Sequence, residues 1–134
     1  MQIVQFSDEL WERYRPSIIK HCKKLKVTQP LQDLYVQLAT QQKAFIEGDN
    51  GEDFAIIHIV PFHQGNSLWI DEAYATSGNA FAKYIEEFKT IARSIPNCTH
   101  IRWQSSRLGY LKNAKFLKAI GDYKIEYIVY QLEV

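Results

Sequence analysis

Leu68-Trp69-Ile70-Asp71-Glu72-Ala73-Tyr74-Ala75-Thr76-Ser77-Gly78-Asn79-Ala80 is the stretch that decides the fold. Ser67 to Tyr74 reads as a strand, and the residues after it are a run of small ones. Beyond that run, Phe81, Tyr84, Ile85, Phe88, Ile91, Ala92 and Ile95 recur at helical spacing, with Glu86, Glu87, Lys89 and Arg93 opposite. Pro96-Asn97 ends this helix, which is predicted from about Gly78 to Ile95. Thr99 to Gln104 is the next strand. A strand, a crossover helix and a second strand predict a parallel pair, because a long connection is what returns the chain in the same direction.

Outward from this unit the chain divides into short segments. Ile3 to Phe6 reads as a strand, closed by Ser7 as an N-cap. Leu10, Trp11, Tyr14, Ile18 and Ile19 form a helical stripe, and Pro16 inside it predicts a kink or a split. Thr28-Gln29-Pro30 starts a second helix with Leu31, Leu34, Tyr35 and Leu38 as its apolar face. Lys43 to Glu47 and Phe54 to Val60 are strands joined by Gly48-Asp49-Asn50-Gly51, hence an antiparallel hairpin, with a further loop at Gln64-Gly65-Asn66. Leu108 to Ile120 reads as a helix closed by Gly121, and Tyr123 to Val134 as a last strand. The order β-α-α-β-β-β-α-β-α-β predicts an α+β fold with a mixed, mostly antiparallel twisted sheet, one parallel pair and flanking helices.

With 134 residues, 46% of them hydrophobic, the chain fits a single domain over 1–134 with a real core. Sixteen basic against fifteen acidic residues leave a net charge of +1, which argues against a nucleic-acid partner that needs a basic domain. Two cysteines, Cys22 and Cys98, are too few for a disulfide framework or a cysteine-rich metal site. The start of the chain has no basic and apolar leader pattern, and no apolar run approaches a membrane span, so a soluble intracellular protein with no membrane partner is expected.

Small residues ahead of a helix let backbone N–H groups approach a ligand, and the helix N-terminus adds partial positive charge. Thr76-Ser77-Gly78 is therefore a candidate phosphate or pyrophosphate loop, as well as a simple turn and N-cap. Asp71 and Glu72 are candidate general bases, and His58 and His63 are the alternative proton acceptors. No histidine, cysteine and carboxylate spacing suggests a metal site. Cys98 and Ser105-Ser106 lack the flanking pattern of a nucleophile.

The element order and this junction resemble the GNAT superfamily of N-acetyltransferases. The family's pyrophosphate loop reads R/Q-x-x-G-x-G/A after the fourth strand; Ala75-Thr76-Ser77-Gly78-Asn79-Ala80 keeps the glycine and the last small residue, with Ala75 in place of Arg or Gln. Asn113 to Gly121 is similar to the helix of the family's second motif, with Leu117 where a tyrosine general acid is common. Ser77 to Ala80 and Phe116 to Gly121 look most like the small GNAT-like proteins of tailed phages, including podovirus internal virion proteins. The resemblance implies acetyl-CoA as co-substrate, held by Thr76, Ser77, Gly78, Asn79 and Ala80, by backbone groups of Trp69 and Ile70, and by Lys115. It further implies transfer to an unknown amine acceptor or protein partner, with Glu72 or Asp71 as the base. Lys112, Lys115, Lys118 and Arg107 suit the CoA 3′-phosphate, a nucleic-acid backbone or plain solvent. Leu117 leaves Tyr110 and Tyr123 as the nearest tyrosines, neither at the family's position, so water is an alternative proton donor. Two functions stay open: an N-acetyltransferase in the cytoplasm of a bacterial host, or a virion-associated binding protein that keeps the fold without turnover.

Overall fold

A computed structural model of the chain describes residues 1–25 and 31–103. The elements are β1 (Gln2–Val4), α1 (Asp8–Leu25), α2 (Leu31–Ala39), β2 (Ala44–Glu47), β3 (Phe54–Phe62), β4 (Gly65–Tyr74), α3 (Ala80–Ser94) and β5 (Cys98–Trp103). The strands form one sheet in the order β1-β2-β3-β4-β5. Every neighbouring pair is antiparallel except β4 and β5, which run parallel as the crossover predicts. The fold is thus the expected α+β arrangement. The helix expected at Leu108 to Ile120, the strand at Tyr123 to Val134 and the helix start at Thr28 to Pro30 lie outside the described residues.

The sheet separates two cores. On one side, Phe81, Tyr84, Phe88 and Ala92 of α3 pack on Ile46, Ala55, Ile57, Leu68 and Ile70. On the other, Leu10, Trp11, Tyr14 and Ile18 of α1 and Leu34 and Leu38 of α2 pack on Phe45, Phe54 and Ile56. This explains why Phe54 to Ile57 is an unbroken apolar run: alternate residues go to opposite faces, and both faces are covered. Burying a side chain such as Phe88 contributes about 1.5–3 kcal/mol.

Pro16 does not split the first helix. α1 runs through it as one element, capped by Ser7, whose hydroxyl oxygen accepts from the Leu10 N–H at 3.1 Å. Pro16 sits on the exposed side, while Tyr14 before it and Ile18 after it are buried against the sheet. Burial on both sides offsets the roughly 3 kcal/mol an interior proline costs. The loop expected at Gln64 to Asn66 is also shifted. His63 and Gln64 make the turn, His63 at φ 55°, and Gly65 already pairs with Phe62 as the first residue of β4.

The pairing of β3 with β4 contains one irregularity that matters for function. Ile56 lies opposite Glu72 but Ile57 lies opposite Ile70, so Asp71 is an extra residue, a β-bulge on β4. Without it Glu72 would share a face with Ile70, under α3. With it, Asp71 and Glu72 both leave toward the α1 side: Glu72 meets His21 of α1, and Asp71 meets His58, which shares a face with Ile56.

Gly65 is required for close approach rather than for its torsion angles. A Cβ there would lie 2.5 Å from the Asn97 carbonyl oxygen, which accepts from the Asn66 N–H at 2.9 Å. Gly65→Ala is expected to destabilise the fold by about 1–3 kcal/mol. Urea denaturation should show a lower midpoint with an unchanged slope.

Candidate functional site

The loop from β4 to α3 is built on a turn. The Gly78 N–H donates to the Ala75 carbonyl at 3.0 Å, with Gly78 at φ 112°, a conformation that side chains rarely adopt. Asn79, rather than Thr76 or Ser77, is the N-cap: its side-chain oxygen accepts from the Ala82 N–H at 3.0 Å. The Thr76 N–H points to the Asp53 carboxylate at 2.9 Å. Thr76 and Gly78 therefore do not offer their amides to a common anion. Of the candidate amides, those of Ser77, Asn79 and Ala80 remain at the helix start. The space where a Gly78 side chain would stand is open.

Asp53 holds this loop from below. Its side chain is fully buried. Oδ1 accepts from the Thr76 N–H, the Thr76 hydroxyl at 3.2 Å and the Asn50 amide at 2.9 Å. Oδ2 accepts from Lys83 Nζ at 2.8 Å and from the Tyr84 hydroxyl, both on the first turns of α3. Burial alone would raise the Asp53 carboxyl, but the bonds from Lys83, Tyr84, Thr76 and Asn50 outweigh it and hold the group well below the usual carboxylate range. The bonds to Asp53 and Tyr84 raise Lys83, and burial raises the Tyr84 hydroxyl. Asp53 is itself fixed by Asn50, whose side-chain oxygen accepts from its N–H at 2.7 Å. Only a turn is legible at Asp49 to Asp53 in the sequence, because the partners Thr76, Lys83 and Tyr84 lie far along the chain.

The β4 carboxylates are not solvated loop acids. Asp71 and Glu72 have side chains 14% and 15% exposed, and each is matched with a histidine. Glu72 Oε2 is 2.7 Å from His21 Nε2, and Asp71 Oδ2 is 2.6 Å from His58 Nδ1. Lys43 Nζ reaches the second oxygen of Asp71 at 3.1 Å. His63 stands apart, at the exposed β3–β4 turn, in ring contact with Phe62. Trp69 and Ile70 sit inside the parallel pairing, opposite Arg102 and Trp103, so Asp71 is the first β4 residue past the described β4–β5 register. Trp69 also receives the Arg102 guanidinium over its ring at 5.2 Å. Lys43 and His21 were not apparent as site residues, since their roles come from strand neighbours and helix docking. Lys112, Lys115, Lys118, Arg107, Tyr110, Leu117 and Tyr123 lie outside the described residues.

Among the described residues no group of three metal-ligating side chains gathers, and no helix is long and apolar enough to cross a membrane. An open depression of about 480 Å³ lies between α1 and α2, lined by Asp8, Trp11, Glu12, Arg15, Leu31, Gln32 and Tyr35. Its two acids suit an anionic ligand poorly, and none of its lining residues belongs to β4 or to the loop that follows.

By sequence, no protein family and no curated protein matches the chain. By structure, it resembles a crystal structure described as a probable acetyltransferase, with TM-score 0.69 and 16% identity, over 100% of this chain and 98% of that one. A possible acetyltransferase from Clostridium difficile 630 gives TM-score 0.65 and 14% identity over 99% and 97% of the two chains. An aminoglycoside acetyltransferase from an uncultured soil metagenomic sample, crystallised with sisomicin, gives TM-score 0.61 and 8% identity over 98% and 96%. At these identities the likeness shows the fold, which is the one the motif resemblance implies.

The Asp53 cluster generates a pH prediction. A carboxyl lowered on folding contributes stability that is fully present above its unfolded value of about 3.9 and is lost as pH falls through the lower folded value. Lys83 and Tyr84, both raised, contribute stability present below their unfolded values, about 10, and lost as pH rises through the folded ones. Asp53→Asn is expected to cost about 3–5 kcal/mol at pH 7, as when one partner of a buried pair is removed. It should also flatten the loss of stability between about pH 4 and pH 2. Urea denaturation across pH checks both.

Proposed function

We propose that this chain is an acyl-CoA-dependent N-acyltransferase of GNAT type that moves an acetyl group from acetyl-CoA to an amine. The observation that carries this reading is the bulge at Asp71. It turns two histidine-paired carboxylates onto one face of β4 at the end of the described β4–β5 register, a few residues before the small-residue start of α3. That is a place to take a proton from an amine, followed a few residues along the chain by a place to hold a diphosphate.

The residues present fit the co-substrate. Open space over Gly78, and the amides of Ser77, Asn79 and Ala80 at the N-terminus of α3, suit a diphosphate that must approach backbone closely. Thr76 shapes the loop through Asp53, and Lys83 neutralises that carboxylate, so the buried charge does not repel an anion above it. Trp69 and Ile70, whose backbone is paired with β3 and β5, line the approach to the thioester end, and Lys115 supplies charge for the 3′-phosphate. Acyl-CoA, when bound, supplies the activated carbonyl. The chain's own task is to orient the amine, remove its proton through the Asp71 and Glu72 pairs, and keep the reacting groups together. Two carboxylates on that face favour a cationic amine, the chemical class of the aminoglycoside bound to one structural relative. The cytoplasm of a bacterial host is the compartment this reading assigns.

A second reading, a binding protein that keeps the fold without turnover, is favoured by Ala75 and Leu117, which depart from the family pattern. The likeness of Ser77 to Ala80 and Phe116 to Gly121 to small tailed-phage proteins would then place it with virion components.

Titration calorimetry and thermal shift with acetyl-CoA and CoA separate these readings from a fold that binds neither. Saturating ligand at a hundred times Kd stabilises by about 2.7 kcal/mol, several degrees in melting temperature. Both readings expect that shift. Release of free CoA across a panel of amines is expected for the enzyme and absent for the binding protein. The double variant Asp71→Asn, Glu72→Gln is expected to lower release by ~10²–10⁴-fold while the CoA-induced shift persists.

A further inference from the structure

We infer that the amine's proton is taken by His58 Nε2, with Asp71 as its positioning residue and Lys43 as the group that fixes Asp71. The inference rests on the acyltransferase reading and replaces a carboxylate with an imidazole as the immediate base.

The geometry around Asp71 decides this. Both of its oxygens are engaged, Oδ2 with His58 Nδ1 at 2.6 Å and Oδ1 with Lys43 Nζ at 3.1 Å. A carboxylate accepts hydrogen bonds and cannot donate them, so the proton in the Asp71–His58 contact sits on Nδ1. In the neutral ring the lone pair then lies on Nε2. His58 makes no other hydrogen bond among the described residues, and its side chain is 30% exposed. A partly exposed imidazole with the lone pair on Nε2, held in one tautomer by a mostly enclosed acid, is the arrangement a general base needs.

The neighbouring pair is built the other way. His21 is 6% exposed in its side chain, packed edge-on to Phe54 and Tyr74 at 5.8 Å each, with its Nε2 on Glu72. Its ring cannot be reached by an amine. Glu72 and His21 therefore tie α1 to β4, while the His58 imidazole of the other pair is partly exposed beside Trp69, whose ring centroid is 6.4 Å away.

The step balances as follows. The ammonium gives one proton to His58 Nε2, and the freed lone pair forms a C–N bond to the thioester carbon. The C–S bond breaks as the tetrahedral carbon collapses. The leaving thiolate takes the second nitrogen-bound proton, giving the amide and free CoA, and the His58 proton passes to water.

Two measurements test this in the full chain. The first is ¹⁵N NMR of the His58 ring at a pH where it is neutral. The expected result is the Nδ1–H tautomer in the wild type and a shift toward Nε2–H in Asp71→Asn, where the amide NH₂ turns to Nδ1 while Lys43 keeps the oxygen. The second is CoA release with the amine that gives the highest rate. His58→Ala and His58→Gln are expected to lower kcat by ~10²–10³-fold with KM for acetyl-CoA within about twofold, and added imidazole should restore His58→Ala by about tenfold or more. His63→Ala should match the wild type. An Nε2–H tautomer in the wild type overturns the dyad whatever the turnover. Activity retained in His58→Ala, or a loss that imidazole does not rescue, overturns the base assignment and leaves the acyltransferase reading standing. No CoA release from any amine by the wild type removes that reading and the base assignment with it.

Discussion

One buried carboxylate organises this half of the molecule. Asp53 lies in the turn between β2 and β3, yet it binds Thr76 in the loop after β4 and both Lys83 and Tyr84 at the start of α3. An ionised group removed from water must be paired and hydrogen-bonded or it destabilises the fold. Every partner that satisfies Asp53 therefore becomes a constraint on where the β4–α3 loop and α3 sit. The loop is rigid from beneath, so its outer side can be preorganised for a ligand.

The second constraint is the extra residue at Asp71. A regular strand would send Asp71 and Glu72 to opposite faces, one of them into the apolar core under α3. The bulge avoids burying a carboxylate against Phe81, Tyr84 and Phe88, and at the same time brings two acids to the side where His21, Lys43 and His58 stand. A local change of register thus removes an energetic conflict and assembles the polar face with the same step. Asp53 places the helix start, the bulge places the two histidine–carboxylate pairs, and β4 connects them with only a few residues.

The two histidine–carboxylate pairs show how burial divides labour between similar chemistry. His21 is enclosed by aromatic rings and serves to dock α1 on the sheet. His58, on a strand next to Trp69, keeps its side chain partly exposed. Lys43 adds a positive charge at the far oxygen of Asp71, which holds the carboxylate in place without covering the imidazole.

Much of the fold was legible in the sequence because local periodicity and punctuation carry it. The stripe from Phe81 to Ile95, between Gly78 and Pro96, could only be an amphipathic helix, and a strand on each side of it made the parallel pair follow from connection length. The hairpin across Gly48 to Asp53 and the α+β class were readable for the same reason. Asp71 and Glu72 could be picked out as acids at the end of a strand. His58 could be named as a proton acceptor but not paired with Asp71, and His21 and Lys43 could not be picked out, since they lie far along the chain and meet the acids only after the strands pair and α1 docks. The bulge was hidden, because register is a property of two strands and not of one. Asp53 read as a turn residue, and only tertiary structure made it the buried charge that Thr76, Lys83 and Tyr84 converge on. Pro16 shows the same limit in reverse: its local preference for breaking a helix yields once Tyr14 and Ile18 are buried on either side of it. Sequence determined which segments form and which faces are apolar, because those depend on neighbours a few residues away. Which polar groups meet, and which nitrogen of His58 faces Asp71, depended on long-range pairing and burial, and only the folded chain decides those.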